Sequence, residues 1–213
     1  MTREEQIERF LGEAHKLGAE RLMMCSSGNL SWRAERDVAL VSGTGSWLPA
    51  LKREDVCVCR VSDGEIVDGP KPSVESSFHL GVMRNRPGVN VVLHFQSQYA
   101  TVVACMKEKP RNFNVTIEVP CYVGEVPTLP YLRPGSSELA DAVTDALVKH
   151  NVALLSNHGQ VACGRDFDEA FQRAVFFEMA CGIIVLAGKG NYTTLSEEDI
   201  RGLKKYLMKK EET

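Results

Sequence analysis

Residues 71–96 read KPSVESSFHLGVMRNRPGVNVVLHFQ, and the fold is decided here. Ser73 precedes an apolar helical pattern with Glu75 in its first turn, which predicts a helix over about Ser73–Arg86. Pro87 ends that helix, because a proline pushes the residue before it out of the helical region. The chain then re-enters as VVLHF, a nearly continuous apolar strand of the kind buried on both faces. A helix that turns into a buried strand is a unit of an α/β fold, with helices packed on a central sheet.

The pattern continues on both sides. Thr2 and Glu5 have capping-box spacing, Ile7, Phe10, Leu11, Ala14 and Leu17 share one helical face, and Gly18 is a stop signal. LSWR, VALVS, VCVCRV and EIVDG read as short strands separated by turns such as Asp63-Gly64. Downstream, Tyr99–Met106 reads as a helix and Phe113–Val119 as a strand. Ser136 or Ser137 caps a helix carrying Leu139, Val143, Ala146 and Leu147, and VALLS and QVACG are strands around Asn157-His158-Gly159. Phe167–Ala187 is apolar nearly all round, as in a deeply packed or interface helix, and Ser196 caps a last amphipathic helix with Ile200, Leu203 and Leu207. With no linker, repeat or low-complexity segment, residues 1–213 read as one domain.

An apolar content of 44% is enough for a packed core. A net charge of −3 leaves no electrostatic footprint for nucleic acid, and Lys204, Lys205, Lys209 and Lys210 read as a solvated helix face. The polar start MTREEQIERF is not a secretory signal, and the longest apolar run, Gly182 to Gly188, is too short to span a bilayer. Seven cysteines without a CxxC pair fit reduced thiols in a cytoplasm, with Cys57 and Cys59 as small strand hydrophobes.

Several segments carry chemistry. Ser26-Ser27-Gly28-Asn29 and Ser42-Gly43-Thr44-Gly45 combine small residues, hydroxyls and exposed N–H groups, the makings of an anion nest or of two ordinary turns. Ser73 could offer its helix N-terminus to a phosphate, and Glu75 beside it is either helix-start decoration or a general acid/base. His94 and Gln96 leave one face of a strand, and His158 could join them around a divalent cation, although a lone histidine on an apolar strand is also a common core residue. His15, His79 and His150 have no partner at ligand spacing and read as structural or surface residues.

Taken in order, SSGNLS, the S-G-T-G turn, KPSVES, VLHFQS and LLSNHGQVACG resemble the class II aldolase/adducin family from about residue 5 to residue 205. The resemblance implies a three-layer α/β/α sandwich around a mixed, mostly antiparallel sheet, and a homotetramer with active sites between subunits. It assigns substrate phosphate binding to Gly28, Asn29, Thr44, Gly45, Ser73 and Val74, acid/base catalysis to Glu75, and Zn2+ or another divalent cation to His94 and His158. Gln96 stands where a third histidine is expected, so one imidazole is replaced by a neutral, harder carboxamide. Thr116 stands where some family aldolases place a tyrosine from a neighbouring subunit, with Glu118 and Tyr122 nearby.

Within the family the likeness is to aldolases of L-fuculose 1-phosphate. The expected reaction is cleavage of a ketose 1-phosphate into dihydroxyacetone phosphate and an aldehyde, L-lactaldehyde for that substrate. Three alternatives stay open: a dehydratase of 5-methylthioribulose 1-phosphate, which also uses the glutamate of the KPS-x-E motif, an aldolase of another sugar phosphate, and a non-catalytic adducin-like scaffold that keeps the fold without a competent metal site.

Overall fold

The computed structural model describes residues 1–211, with the side chains at 18–19 and 207–211 excepted. Helix α1 (Arg3–Ala19) opens the chain, and its Thr2–Glu5 capping box is formed in both directions. It runs one residue past Gly18, the expected stop. Strands β1 (Asn29–Glu35), β2 (Val38–Ser42), β3 (Val56–Arg60) and β4 (Ile66–Asp68) follow. Then come α2 (Ser76–Asn85), β5 (Val91–Phe95), α3 (Gln98–Cys105), the short β6 (Thr128–Leu129) and α4 (Ser137–Lys149). The chain closes with β7 (Val152–Leu155), β8 (Gly159–Gly164), α5 (Phe167–Ala187) and α6 (Glu197–Glu211). Leu207, Lys209 and Lys210, read as part of the last amphipathic helix, lie outside the described side chains.

The eight strands form one sheet in the order β4-β3-β2-β1-β5-β8-β7-β6. Only the β6–β7 pairing is parallel. Strand alternation sorts the core into two clusters. Leu30, Trp32, Leu40, Val58, Leu93 and Phe95 face α1, α3 and α5, where Phe10, Val103 and Phe177 meet them. Val41, Cys57, Cys59, Val92, Val161 and Cys163 face α2 and α4, where Phe78, Val82, Leu139 and Val143 meet them. Each fully buried Leu or Phe contributes about 1.5–3 kcal/mol by leaving water. The result is the mixed α/β/α sandwich, with both faces of the central strands covered.

Helix α5 is long and apolar enough to cross a membrane by length and composition. Here it lies on β8 and α3 with Phe177, Ala180 and Cys181 in the core. Its Glu178 carboxylate accepts hydrogen bonds from Ser97 Oγ (2.6 Å), Tyr99 N (2.8 Å) and Ala100 N (2.8 Å). The unpaired N–H groups that open α3 are thus capped by another helix, which also anchors the chain just beyond β5.

Two expected elements differ. Phe113–Val119 is not a strand: Val115 N–H bonds Phe113 O at 2.7 Å, Asn114 O accepts from Leu195 N, and the segment ends in a π-helical turn, Val119–Val123. Phe113 and Val119 are buried while Ile117 is exposed, so the apolar alternation of the sequence does not become alternating burial, and Phe113 packs on Phe177 of α5 instead of joining a ladder. Helix α2 begins at Ser76 rather than Ser73. Ser73 N–H bonds Ser42 O at 2.9 Å and Pro72 bridges Gly43, which holds this segment extended along the end of β2.

Candidate active site

Three side chains from distant segments converge on the α2 face of the sheet. Glu75 occupies the N-cap of α2, not its first turn, and Ser73 Oγ accepts from Glu75 N–H at 3.3 Å. His94 is near the end of β5, paired across β1 with Asn29 and across β8 with Val161. His158 sits at the tip of the β7–β8 hairpin. There Asn157 adopts φ 55°, a left-handed conformation that asparagine tolerates, and its N–H is tied to Ala104 O. Gly159 serves close approach rather than the turn's handedness: a Cβ there would lie 2.8 Å from Phe95 O and from Gln96 Cγ.

Glu75 Oε1 lies 3.3 Å from His158 Nε2, and Glu75 Oε2 lies 3.5 Å from His94 Nε2. His94 Nδ1 is 2.9 Å from the carbonyl of Gln160, which it serves as an N–H donor, leaving its Nε2 lone pair facing the carboxylate. Burial pushes the Glu75 carboxyl up, but His94, the Asn29 amide and His158 outweigh it and hold the group below its ordinary value. Burial and the neighbouring His94 lower the His158 imidazole, against the pull of Glu75. The site therefore favours an ionised Glu75 carboxylate and a neutral His158 imidazole.

That arrangement fits a divalent cation. Glu75 Oε1, the oxygen that faces His158 Nε2, is a buried polar atom with no hydrogen-bond partner among the described residues, and such an atom is costly unless a ligand satisfies it. Ligand atoms about 2.1 Å from a four-coordinate ion stand about 3.4 Å apart, close to the two carboxylate–imidazole separations. One donor atom from each of Glu75, His94 and His158 lies within 4.8 Å of the others.

A cavity of about 180 Å³ opens above them. Gly28, Asn29, Thr44, Gly45, Ser73 and Val74 line it together with Glu75, His94, Gln96 and His158, so all ten residues singled out from the sequence meet in one place. Ser26, Ser27, Gly43 and Pro134 complete the lining, which holds no Lys or Arg among the described residues. Any anion here is met by hydroxyl, amide and backbone donors on small residues, a nest rather than an ion pair. Thr116, Glu118 and Tyr122 do not line the cavity, and Tyr206 is exposed on α6.

One buried neighbour of the site escaped the sequence reading. His79, taken as a structural or surface residue, is fully buried one helical turn beyond Glu75 and bonds to Ser31 and Asn29. The signal was present: positions 75 and 79 share a helix face, and 29 and 31 share a strand face.

An α/β/α sandwich with a carboxylate–imidazole cluster able to hold a cation, beneath a cavity walled by small polar residues, is an architecture of metal-dependent lyases. The chain belongs to one such family: the profile described as "Class II Aldolase and Adducin N-terminal domain" matches residues 9–185. A 3-oxo-tetronate 4-phosphate decarboxylase of Pectobacterium atrosepticum is 32% identical over 203 residues, 92% of this chain and 93% of that protein. An L-fuculose phosphate aldolase of Methanococcus maripaludis is 30% identical over 172 residues, 81% of this chain and 91% of that protein. The crystal structure of YgbL from Klebsiella pneumoniae superposes with a TM-score of 0.87 at 30% identity, covering 95% of this chain and 99% of its own.

Proposed function

We propose that the protein is a divalent-metal-dependent carbon–carbon lyase whose reaction yields dihydroxyacetone phosphate, and that its substrate is a phosphorylated β-keto acid of the 3-oxo-tetronate 4-phosphate type. Two relatives' reactions converge chemically. Loss of carbon dioxide from C1 of 3-oxo-tetronate 4-phosphate and cleavage of C3–C4 in L-fuculose 1-phosphate leave the same enediolate, that of dihydroxyacetone phosphate. A cation held by His94, Glu75 and His158, zinc or another divalent ion, would supply Lewis-acid stabilisation of negative charge on oxygen. Gln96 would offer a neutral oxygen from the same cavity wall.

The observation that carries the lyase reading is Glu75, the one carboxylate among the described residues lining the cavity, set between His94 and His158; the choice of leaving group follows the similarity to 3-oxo-tetronate 4-phosphate decarboxylases. Decarboxylation needs a single proton delivered, to the enediolate carbon, because carbon dioxide departs without one. Aldol cleavage removes a proton from the C4 hydroxyl and adds one at the enediolate carbon, a transfer that the same carboxylate can carry. Glu75 thus carries the proton, while the nest of Gly28, Thr44, Gly45, Ser73 and Val74 binds the phosphate and orients the reacting carbon. Aldol cleavage of L-fuculose 1-phosphate is the second reading, favoured by the similarity to L-fuculose phosphate aldolases.

The working form in this reading is a homotetramer. Its support is an apolar stripe on α5, Met179, Ile183 and Leu186, left exposed in the single chain.

The test is release of dihydroxyacetone phosphate by metal-loaded protein from each substrate, with a chelated control. Release with carbon dioxide from the keto acid supports the first reading, and release with L-lactaldehyde from L-fuculose 1-phosphate supports the second. Release from neither, with stoichiometric metal bound, overturns both.

A further inference from the structure

We propose that His79 is a positioning residue for Glu75, acting through Asn29 and itself set by Ser31. The inference rests on the reading of Glu75 as the acid/base of a lyase. Ser31 Oγ lies 2.7 Å from His79 Nδ1, His79 Nε2 lies 2.5 Å from Asn29 Oδ1, and Asn29 Nδ2 donates to Glu75 Oε2 at 2.9 Å. Ser31 and His79 are fully buried, and Asn29 and Glu75 are 8% and 5% exposed, so water does not compete for these bonds. Phe78 stacks on the His79 ring, 4.7 Å between centroids and 17° from parallel.

The direction of the chain follows from its end groups. An ionised carboxylate only accepts, so the Asn29 amide must present nitrogen to Glu75 and oxygen to His79. Nε2 must therefore carry the His79 proton, Nδ1 must accept, and the Ser31 hydroxyl must donate to it. Burial holds the imidazole neutral, far below its ordinary value at about 3. A reversed Asn29 amide would set its oxygen against the carboxylate, and His79 is the group that forbids this.

The consequence is that the two oxygens of Glu75 are unequal. Oε2 is tied to Asn29, while Oε1 has no partner among the described residues. The relay therefore selects Oε1 for the proton or the cation. Because Asn29 also lines the anion cavity, one amide sets both the carboxylate and the wall beside it.

The test uses the full chain. Nitrogen NMR of labelled histidines near neutral pH should show His79 neutral, with its proton on Nε2. The Asn29 carboxamide resonances should shift in His79→Phe and return in His79→Gln, whose amide can donate to Asn29 Oδ1. With whichever substrate releases dihydroxyacetone phosphate, His79→Phe should lower kcat by about 10- to 100-fold with little change in KM, and His79→Gln should recover most of it. Should His79→Phe not fold, Ser31→Ala should lower kcat in the same direction by less. A proton on Nδ1, a charged ring, or equal kcat losses in the Phe and Gln variants that track their melting temperatures would overturn the proposal. If neither substrate is turned over, the functional reading fails while the NMR measurements still decide the relay.

Discussion

Glu75 and His158 face each other across 3.3 Å, carboxylate oxygen to Nε2, and that buried Glu75 oxygen has no hydrogen-bond partner among the described residues. A closed structural pair would satisfy both residues. A pair left open on one side is a seat for something else, and the adjacent Nε2 of His94 shows where a shared ligand would lie.

Glu75→Gln keeps the shape of the side chain and removes its proton chemistry. Turnover should fall by about 10²- to 10⁴-fold while KM changes little, because the phosphate nest is untouched. Steady-state kinetics on dihydroxyacetone phosphate release checks this, and turnover within a few-fold of the parent would remove Glu75 from the mechanism.

Metal retention should depend on both imidazoles. His94→Ala and His158→Ala should each lose bound divalent metal on dialysis, read by elemental analysis. Gln96→His restores an imidazole to the cavity wall and should tighten zinc binding by about tenfold or more, equivalent to about 1.4 kcal/mol. Unchanged affinity in a competition titration would mean that position 96 does not reach the ion.

His79 gives the fold an acid sensitivity. Its folded value, about 3, is depressed from the ordinary 6.5, so below 6.5 the unfolded chain takes up a proton that the folded chain refuses. Above 6.5 both states are neutral at this site, and its contribution to stability is complete. As pH falls towards 3, stability from this group declines by about 1.4 kcal/mol per pH unit. Urea denaturation across that window should show a shallower acid slope for His79→Phe than for the parent, and identical slopes would contradict the buried neutral ring.

Gly159→Ala forces a Cβ to within 2.8 Å of Phe95 O and 3.0 Å of His94 Cε1. The backbone of β5 must yield, at a cost of about 1–3 kcal/mol, and metal affinity should weaken with it. Chemical denaturation together with metal titration measures both; a change under about 0.5 kcal/mol would show that the hairpin adapts freely.

Most of the elements were legible from local pattern, because a buried strand or an amphipathic helix writes its environment into its residues. Phe167–Ala187 and the Thr2–Glu5 cap were read as they stand. Phe113–Val119 was misread because its apolar residues alternate along the chain as in a strand, whereas in the fold Ile117 is exposed and the segment bonds to Leu195 and to itself. The start of α2 was misplaced because Ser73 is a good cap in isolation, whereas in the fold its N–H is claimed by Ser42 O.

By itself the sequence determined the sheet-and-helix class from residue type and short-range spacing, and its resemblance to the family pointed to ten of the fourteen residues that line the cavity. Only the tertiary structure decided that Glu75 stands between His94 and His158 with one oxygen bound and one free. It alone recruited His79 through Asn29. Those facts depend on β1, β5, the β7–β8 hairpin and the start of α2 meeting in space, and no local pattern encodes the distance between segments so far apart in the chain.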